Sequence, residues 1–242
     1  MRRALARPWV RRTKDMAQHD APRPGQQRFR SLGDVAFEAI KEMIVTRRLA
    51  PGAMLSESEI AAELSMGRTP VREALARLEW IGFVEVRPRR GVQVSSVDVM
   101  RHLELLEVRL PLETSIVRHA VARATSKDLE ELQSLARELT EAGAKRDRDR
   151  YFRIKRALHE VEVRAAHNHV LTQTMRNLHA QSRRFWFTYE PTESFAEAAE
   201  RHGAIVVHIA KRNADAAVVA VEDLFAFLQV MTKGALDRRP IT

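Results

Sequence analysis

From residue 97 to the end of the chain, strand-type alternation of apolar and polar residues vanishes. Until the final tail, only Pro111 and Pro191 interrupt long amphipathic runs there. Such runs hide their apolar stripes by packing helix against helix. The expectation for 97–236 is therefore an all-helical bundle.

The segment before it, 31–96, reads differently. Ala36, Ile40, Met43 and Ile44 form one apolar stripe of a helix expected over Asp34–Arg48, and Pro51-Gly52 marks the turn after it. Ser56 and Glu59 have capping-box spacing, with Leu55 and Ile60 placed as a hydrophobic staple, which predicts a short helix ending near Leu64. A third helix is expected to start with Thr69 as N-cap and Pro70 at its first position, burying Val71, Ala74, Leu75 and Leu78. Two β-prone runs, Phe83–Val86 and Gly91–Val94, flank the basic turn Arg87-Pro88-Arg89-Arg90. Helix, short helix, capped helix and basic hairpin together describe a winged helix-turn-helix. The fold class expected is thus mainly α: an N-terminal winged helix-turn-helix followed by an all-α bundle. In such a unit the third helix enters the major groove N-terminus first, where Arg68, Thr69 and Arg72 would reach base edges and phosphates. The wing arginines Arg89 and Arg90 would reach the neighbouring backbone. The bland alternative for Arg68 and Arg72 is a surface salt-bridge face with Glu73 and Glu79.

Charge alone does not decide between these readings. The chain carries a formal +9, but residues 1–30 hold nine Arg or Lys against two Asp, whereas 31–97 hold nine of each sign. The excess is a tail effect, and 1–30 reads as a disordered basic extension. Without an apolar core, its start does not read as a signal peptide. No apolar run is long enough for a membrane span. Absence of cysteine excludes disulfides and thiolate zinc sites and suits a cytoplasmic protein. No phosphate loop or nucleophile elbow argues for an enzyme.

The run from Leu49-Ala50-Pro51-Gly52 through Leu55-Ser56-Glu57 and Gly67-Arg68-Thr69-Pro70-Val71-Arg72-Glu73-Ala74-Leu75 to Arg89-Arg90-Gly91-Val92 resembles the GntR-family DNA-binding domain. The resemblance implies operator contacts from Arg68, Thr69 and Arg72, with the wing glycine Gly91 approaching the groove. Gly67 stands where the family usually has Ser or Thr, so one phosphate-contacting hydroxyl is missing.

More loosely, Glu107-Val108-Arg109, Glu113, Leu158-His159, Ala165-Ala166-His167-Asn168 and Arg201-His202 with Ile205 resemble the FCD effector domain of the FadR subfamily. That resemblance implies a homodimer on a palindromic operator, controlled by a small organic acid. It also implies a divalent metal on one Asp and three His. Here Lys155 occupies the Asp position and Leu224 the third His position, leaving only His159 and His202 as ligands. An ammonium repels a metal cation, so the expectation is no metal. Arg109, Lys155, His159 and His202 fall on apolar helix faces with few acids in view, Glu113 being one candidate partner. They are expected to bind an anionic effector, with Lys155 replacing the metal's charge. Alternatively, Lys155 snorkels and the histidines are core residues, leaving a regulator that senses nothing. His167, His169, His179 and His208 are expected to lie on the surface or at helix contacts.

Overall fold

The structure, a computed structural model, describes residues 31–236. The expected basic tail over 1–30 lies outside the described residues.

Helix α1 (Leu32–Val45) buries Ala36, Phe37, Ile40, Met43 and Ile44. It stops short of the expected Arg48, because Arg47 adopts a left-handed backbone (φ 63°) that ends the helix. A two-residue strand β1 (Met54–Leu55) follows. It is too short to show periodicity, and its pairing with a later strand is what defines it. Helix α2 (Glu57–Glu63) is capped by Ser56, whose hydroxyl accepts the Glu59 amide.

Helix α3 (Arg68–Trp80) buries Val71, Ala74, Leu75 and Leu78, the stripe expected. Its start corrects the sequence reading. Gly67, not Thr69, is the N-cap, and it offers no side-chain cap. Pro70 is tolerated at the third position because first-turn amides have no intrahelical acceptor in any case.

Strands β2 (Val84–Arg87) and β3 (Gly91–Val94) form the hairpin, with Val84 opposite Val94 and Arg87 opposite Gly91. β1 joins the other edge of β3, giving the order β1-β3-β2. Arg89 (φ 65°) and Gly91 (φ 98°) supply the positive φ angles that turn the chain. A Cβ on Gly91 would meet only Met54 Cε, at 3.8 Å, so backbone conformation rather than space favours glycine there.

Six α-helices follow: α4 (Val99–Arg123), α5 (Ser126–Ala144), α6 (Arg148–Ala165), α7 (His169–Tyr189), α8 (Phe195–Ala210) and α9 (Ala214–Lys233). Side chains of Asp98, Thr125, Asp147, Asn168 and Asn213 cap five of them, with a reciprocal capping box at Thr125 and Asp128. α4 packs on α9, and α5 on both α6 and α8. α5 and α8 approach so closely at Gly143 that a Cβ there would lie 2.8 Å from the Phe195 carbonyl oxygen. Leu106, Leu132, Tyr151, Leu158, Phe185, Phe195 and Phe225 form the bundle core.

α7 serves both parts of the molecule. Its Ala180 belongs to the core built from α1, α3 and the hairpin. Gln181 donates to the Ile81 carbonyl (3.3 Å), Arg183 pairs with Glu42 on α1, and Arg184 bonds both the hydroxyl and the carbonyl of Ser95.

Candidate functional site

The first candidate site is the exposed start of α3 with the hairpin tip. Arg68, Thr69 and Arg72 are all exposed. With Gly67 as an uncapping N-cap, the amides of Arg68 and Thr69 point out of the helix end, where they and the helix dipole favour anions. Arg72 does not pair with Glu73 or Glu79. Its guanidinium is held by Glu57 of α2 (Nη2–Oε2 2.8 Å; Nε to both oxygens 3.2 Å), while Glu79 accepts the Val86 amide at the outer edge of β2. The Arg72 hydrogen bond holds the Glu57 carboxyl below the usual carboxylate range. In the hairpin, Arg87 bonds Gln93 and Glu85. Arg89, Arg90 and Gly91 form its exposed tip.

The second candidate site is a cavity of about 10 Å³ inside the bundle, room for about one water. Arg109 and Glu113 from α4, His159 and Glu162 from α6, and His202 from α8 line it beside Ile116, Val117, Ile205, Val221, Leu224 and Phe225. Arg109 is buried and donates to Ser182 Oγ and Glu113 Oε1, each at 2.7 Å. Glu113 Oε1 also meets His179 Nε2 at 2.7 Å. Burial pushes the Glu113 carboxyl up, but His179 and Arg109 outweigh it by charge and hydrogen bonding and hold it at about 2. His159 stacks on His179 (centroids 4.5 Å apart) and tilts against His202 (5.1 Å). Burial drives the pKa values of His159 and His202 well below the usual histidine value, so both are neutral at pH 7. Burial, then Glu113, pushes the Glu162 carboxyl well up.

Four polar atoms around this cavity are buried without a hydrogen-bond partner: Arg109 Nε, Glu162 Oε1 and both ring nitrogens of His202.

The structure brings Arg109, His159 and His202 together but places Lys155 elsewhere. Lys155 Nζ lies 3.4 Å from Glu190 Oε2 and 3.4 Å from the Tyr151 hydroxyl, and Tyr151 in turn donates to Glu190. The expectation of few acids nearby is corrected: Glu113, Glu162 and Glu190 are all buried in this region. His179, expected at the surface or at a helix contact, belongs to the cluster. Glu162, three residues after His159, had the helical spacing that could have placed it, whereas His179 sits on α7, where the sequence marked no site residue. Glu190, beyond the end of α7, had no such signal.

For a divalent metal the donor set is poor. Lys155 is engaged with Glu190, and Leu224 presents hydrocarbon to the cavity. Among the described residues, no three His, Asp or Glu side chains converge closely enough to hold an ion.

Residues 32–94 match the family described as bacterial regulatory proteins, gntR family, and residues 104–227 match the FCD domain. The chain belongs to the GntR family of transcription regulators, with an FCD domain. This GntR-family regulator is 33% identical over 135 residues to the HTH-type transcriptional regulator McbR of Escherichia coli (strain K12). That match covers 56% of this chain and 61% of McbR, less than two thirds of the relative's length. It is 24% identical over 181 residues to the HTH-type transcriptional repressor RspR of the same organism, covering 74% of this chain and 79% of RspR. Among solved structures, E. coli McbR/YncC superposes with a TM-score of 0.76 at 22% identity, covering 86% of this chain and 99% of that one. A GntR regulator from Rhodococcus sp. RHA1 gives 0.71 at 22% identity, covering 84% and 98%. These likenesses establish the fold. The families and relatives are transcription regulators, not enzymes. Among the described residues, no helix is long and apolar enough to cross a membrane.

Proposed function

We propose that this GntR-family regulator is a repressor that binds a palindromic operator as a homodimer and responds to a small organic acid in the bundle cavity. On DNA, the first turn of α3 (Gly67, Arg68, Thr69, Arg72) enters the major groove, and the hairpin tip (Arg89, Arg90, Gly91) reaches the flanking backbone. A two-fold dimer presents one such surface to each half-site.

One observation carries the effector reading: Arg109 Nε, the two His202 nitrogens and Glu162 Oε1 surround one cavity with no protein partner. Buried polar atoms left unpaired cost about 1–3 kcal/mol each, a cost that a ligand able to bond them would remove. A carboxylate would take Arg109, with His159 and His202 donating to it. Lys155, paired with Glu190 and outside the cavity lining, makes no contact with the ligand in this reading. No resident metal forms part of this reading.

Room for about one water means that the effector enters only if the helices part. α7 connects such a movement to DNA. One of its faces brings His179 and Ser182 to the cavity cluster, and neighbouring residues Ala180, Gln181, Arg183 and Arg184 hold the DNA-binding unit. An effector that binds the parted bundle more tightly than the closed one shifts the DNA-binding population in proportion.

The small cavity also favours a second reading, a regulator without ligand. Melting curves against a panel of mono- and dicarboxylic acids, followed by DNA-binding titrations with every acid that stabilises, separate the two. An acid that raises the melting temperature of wild type but not of His202→Leu supports the sensor. Failure of the whole panel favours the ligand-free regulator.

A further inference from the structure

A second cavity, of about 50 Å³, lies where the DNA-binding unit meets the bundle. Gly82 and Ser96 line it from the DNA-binding side, with Asp98 at the start of α4, Arg101 and His102 on α4, and Arg184 on α7. Its volume corresponds to about four waters, the size of a carboxylate or phosphate group rather than of a whole metabolite.

Its charges do not balance. Arg184 is only 6% exposed, yet its hydrogen bonds go to neutral acceptors, the hydroxyl and carbonyl of Ser95. No carboxylate lies within ion-pair distance of it among the described residues, and its Nε has no partner. Burial, and then the charge of Arg101, lowers the Arg184 pKa to about 10. Arg101 stands at the mouth with its guanidinium pressed on the backbone of Gly82, Nη2 being 2.8 Å from where a Cβ would sit. Asp98, the one acid lining the cavity, spends Oδ1 on capping α4 through the Arg101 amide (2.7 Å). His102 stacks flat on Phe185 (centroids 3.8 Å) and leaves Nε2 buried without a partner. Burial brings its pKa to about 2, so the ring is neutral and free to donate from that nitrogen.

We propose that this junction binds a small oxyanion, a carboxylate or phosphate group, held between Arg101 and Arg184 with His102 as a further donor. A buried guanidinium without a counter-charge is costly. A tetrahedral or planar oxyanion matches the donor geometry of two guanidinium groups. The site is separate from the bundle cavity: the two share no lining residue. Because its walls come from the α3–hairpin link, α4 and α7, a bound anion would brace the DNA-binding unit against the bundle. That consequence rests on the DNA-binding reading above, whereas anion binding does not.

The test is thermal melting of the full chain in sodium phosphate, sodium acetate and sodium chloride at equal ionic strength. Phosphate, at about tenfold over its dissociation constant, is expected to raise the melting temperature by about 3 °C over chloride. An equal rise in acetate assigns a carboxylate site, and a rise in phosphate alone a phosphoryl site. Arg101→Gln, at an exposed position, is expected to abolish the shift. Ser96→Asp supplies the counter-charge covalently, so it is expected to raise the melting temperature in chloride and to abolish the shift as well. Arg72→Ala is expected to keep it. Three results would overturn the proposal: no effect of either anion, a phosphate effect undiminished in Arg101→Gln, which marks general salt exclusion, or an effect lost in Arg72→Ala, which places the anion on α3.

Discussion

Arg72 of α3 is clasped by Glu57 of α2, with Nη2 2.8 Å from Oε2 and Nε 3.2 Å from both carboxylate oxygens. The pair orients the arginine side chain at the exposed start of the helix without burying it. Arg72→Ala is therefore expected to lower affinity for operator DNA by about 10- to 100-fold, the loss of one bidentate base contact, with its melting temperature unchanged. Glu57→Gln removes an acid from the surface proposed to face DNA and should raise affinity for random-sequence duplex. Fluorescence anisotropy with operator and scrambled duplexes, alongside a melting curve, reads both. Unchanged operator affinity in Arg72→Ala would remove that residue from the interface.

Lys155 and Glu190 are both buried and face each other at 3.4 Å. Glu190→Gln leaves the ammonium unpaired and is expected to cost about 3–5 kcal/mol in urea unfolding. Lys155→Met combined with Glu190→Gln should recover most of that loss, since an amide and a thioether carry no buried charge. A double variant as unstable as Glu190→Gln alone would mean that packing, not charge, sets the cost.

His102, His159 and His202 all have pKa values lowered by burial. Groups whose folded pKa lies below the unfolded value contribute stability that is present above about pH 6.5 and lost as pH falls. Each histidine should then cost about 1.4 kcal/mol per pH unit below that point. Urea unfolding between pH 7.5 and 5.5 should show this decline, with a shallower slope in His202→Leu. Glu162 acts in the opposite sense: its raised pKa stabilises the fold toward acid and withdraws that contribution as pH rises. A flat wild-type profile would show that the histidines are solvated.

Gly143 sits where α5 touches α8, and a Cβ would lie 2.8 Å from a backbone oxygen that cannot swing aside. Gly143→Ala is expected to destabilise by about 1–3 kcal/mol, although alanine is the better helix former. An increase in stability would mean that the two helices can separate without loss.

With Lys155 and Leu224 at two of the four positions where the FCD resemblance implies metal ligands, prolonged dialysis against EDTA is expected to leave both melting temperature and DNA affinity unchanged. Metal analysis of the purified protein should find less than stoichiometric amounts. A drop of several degrees on chelation would show that His159, His179 and His202 rearrange around an ion.

Features that depend on local chemistry were legible from the residues alone. Val71, Ala74, Leu75 and Leu78 recur at helical spacing, so α3 and its buried face follow from the period of the helix. The basic turn between two β-prone runs foretold the hairpin, and the loss of strand punctuation after residue 97 foretold the bundle. Motif order in 49–92 carried the family. Helix starts were less legible: Gly67 rather than Thr69 caps α3, because several residues there suit an N-terminus and packing of the preceding turn chooses among them. Pairing across the chain was not written locally. Glu57 meets Arg72, Glu190 meets Lys155, and His179 joins His159 only because separate segments pack side by side. β1 exists only because β3 lies beside it. Local sequence sets which face of an element is apolar, but which charged groups share a buried space depends on packing, and here that decided which cations were already neutralised and which, like Arg184, were not.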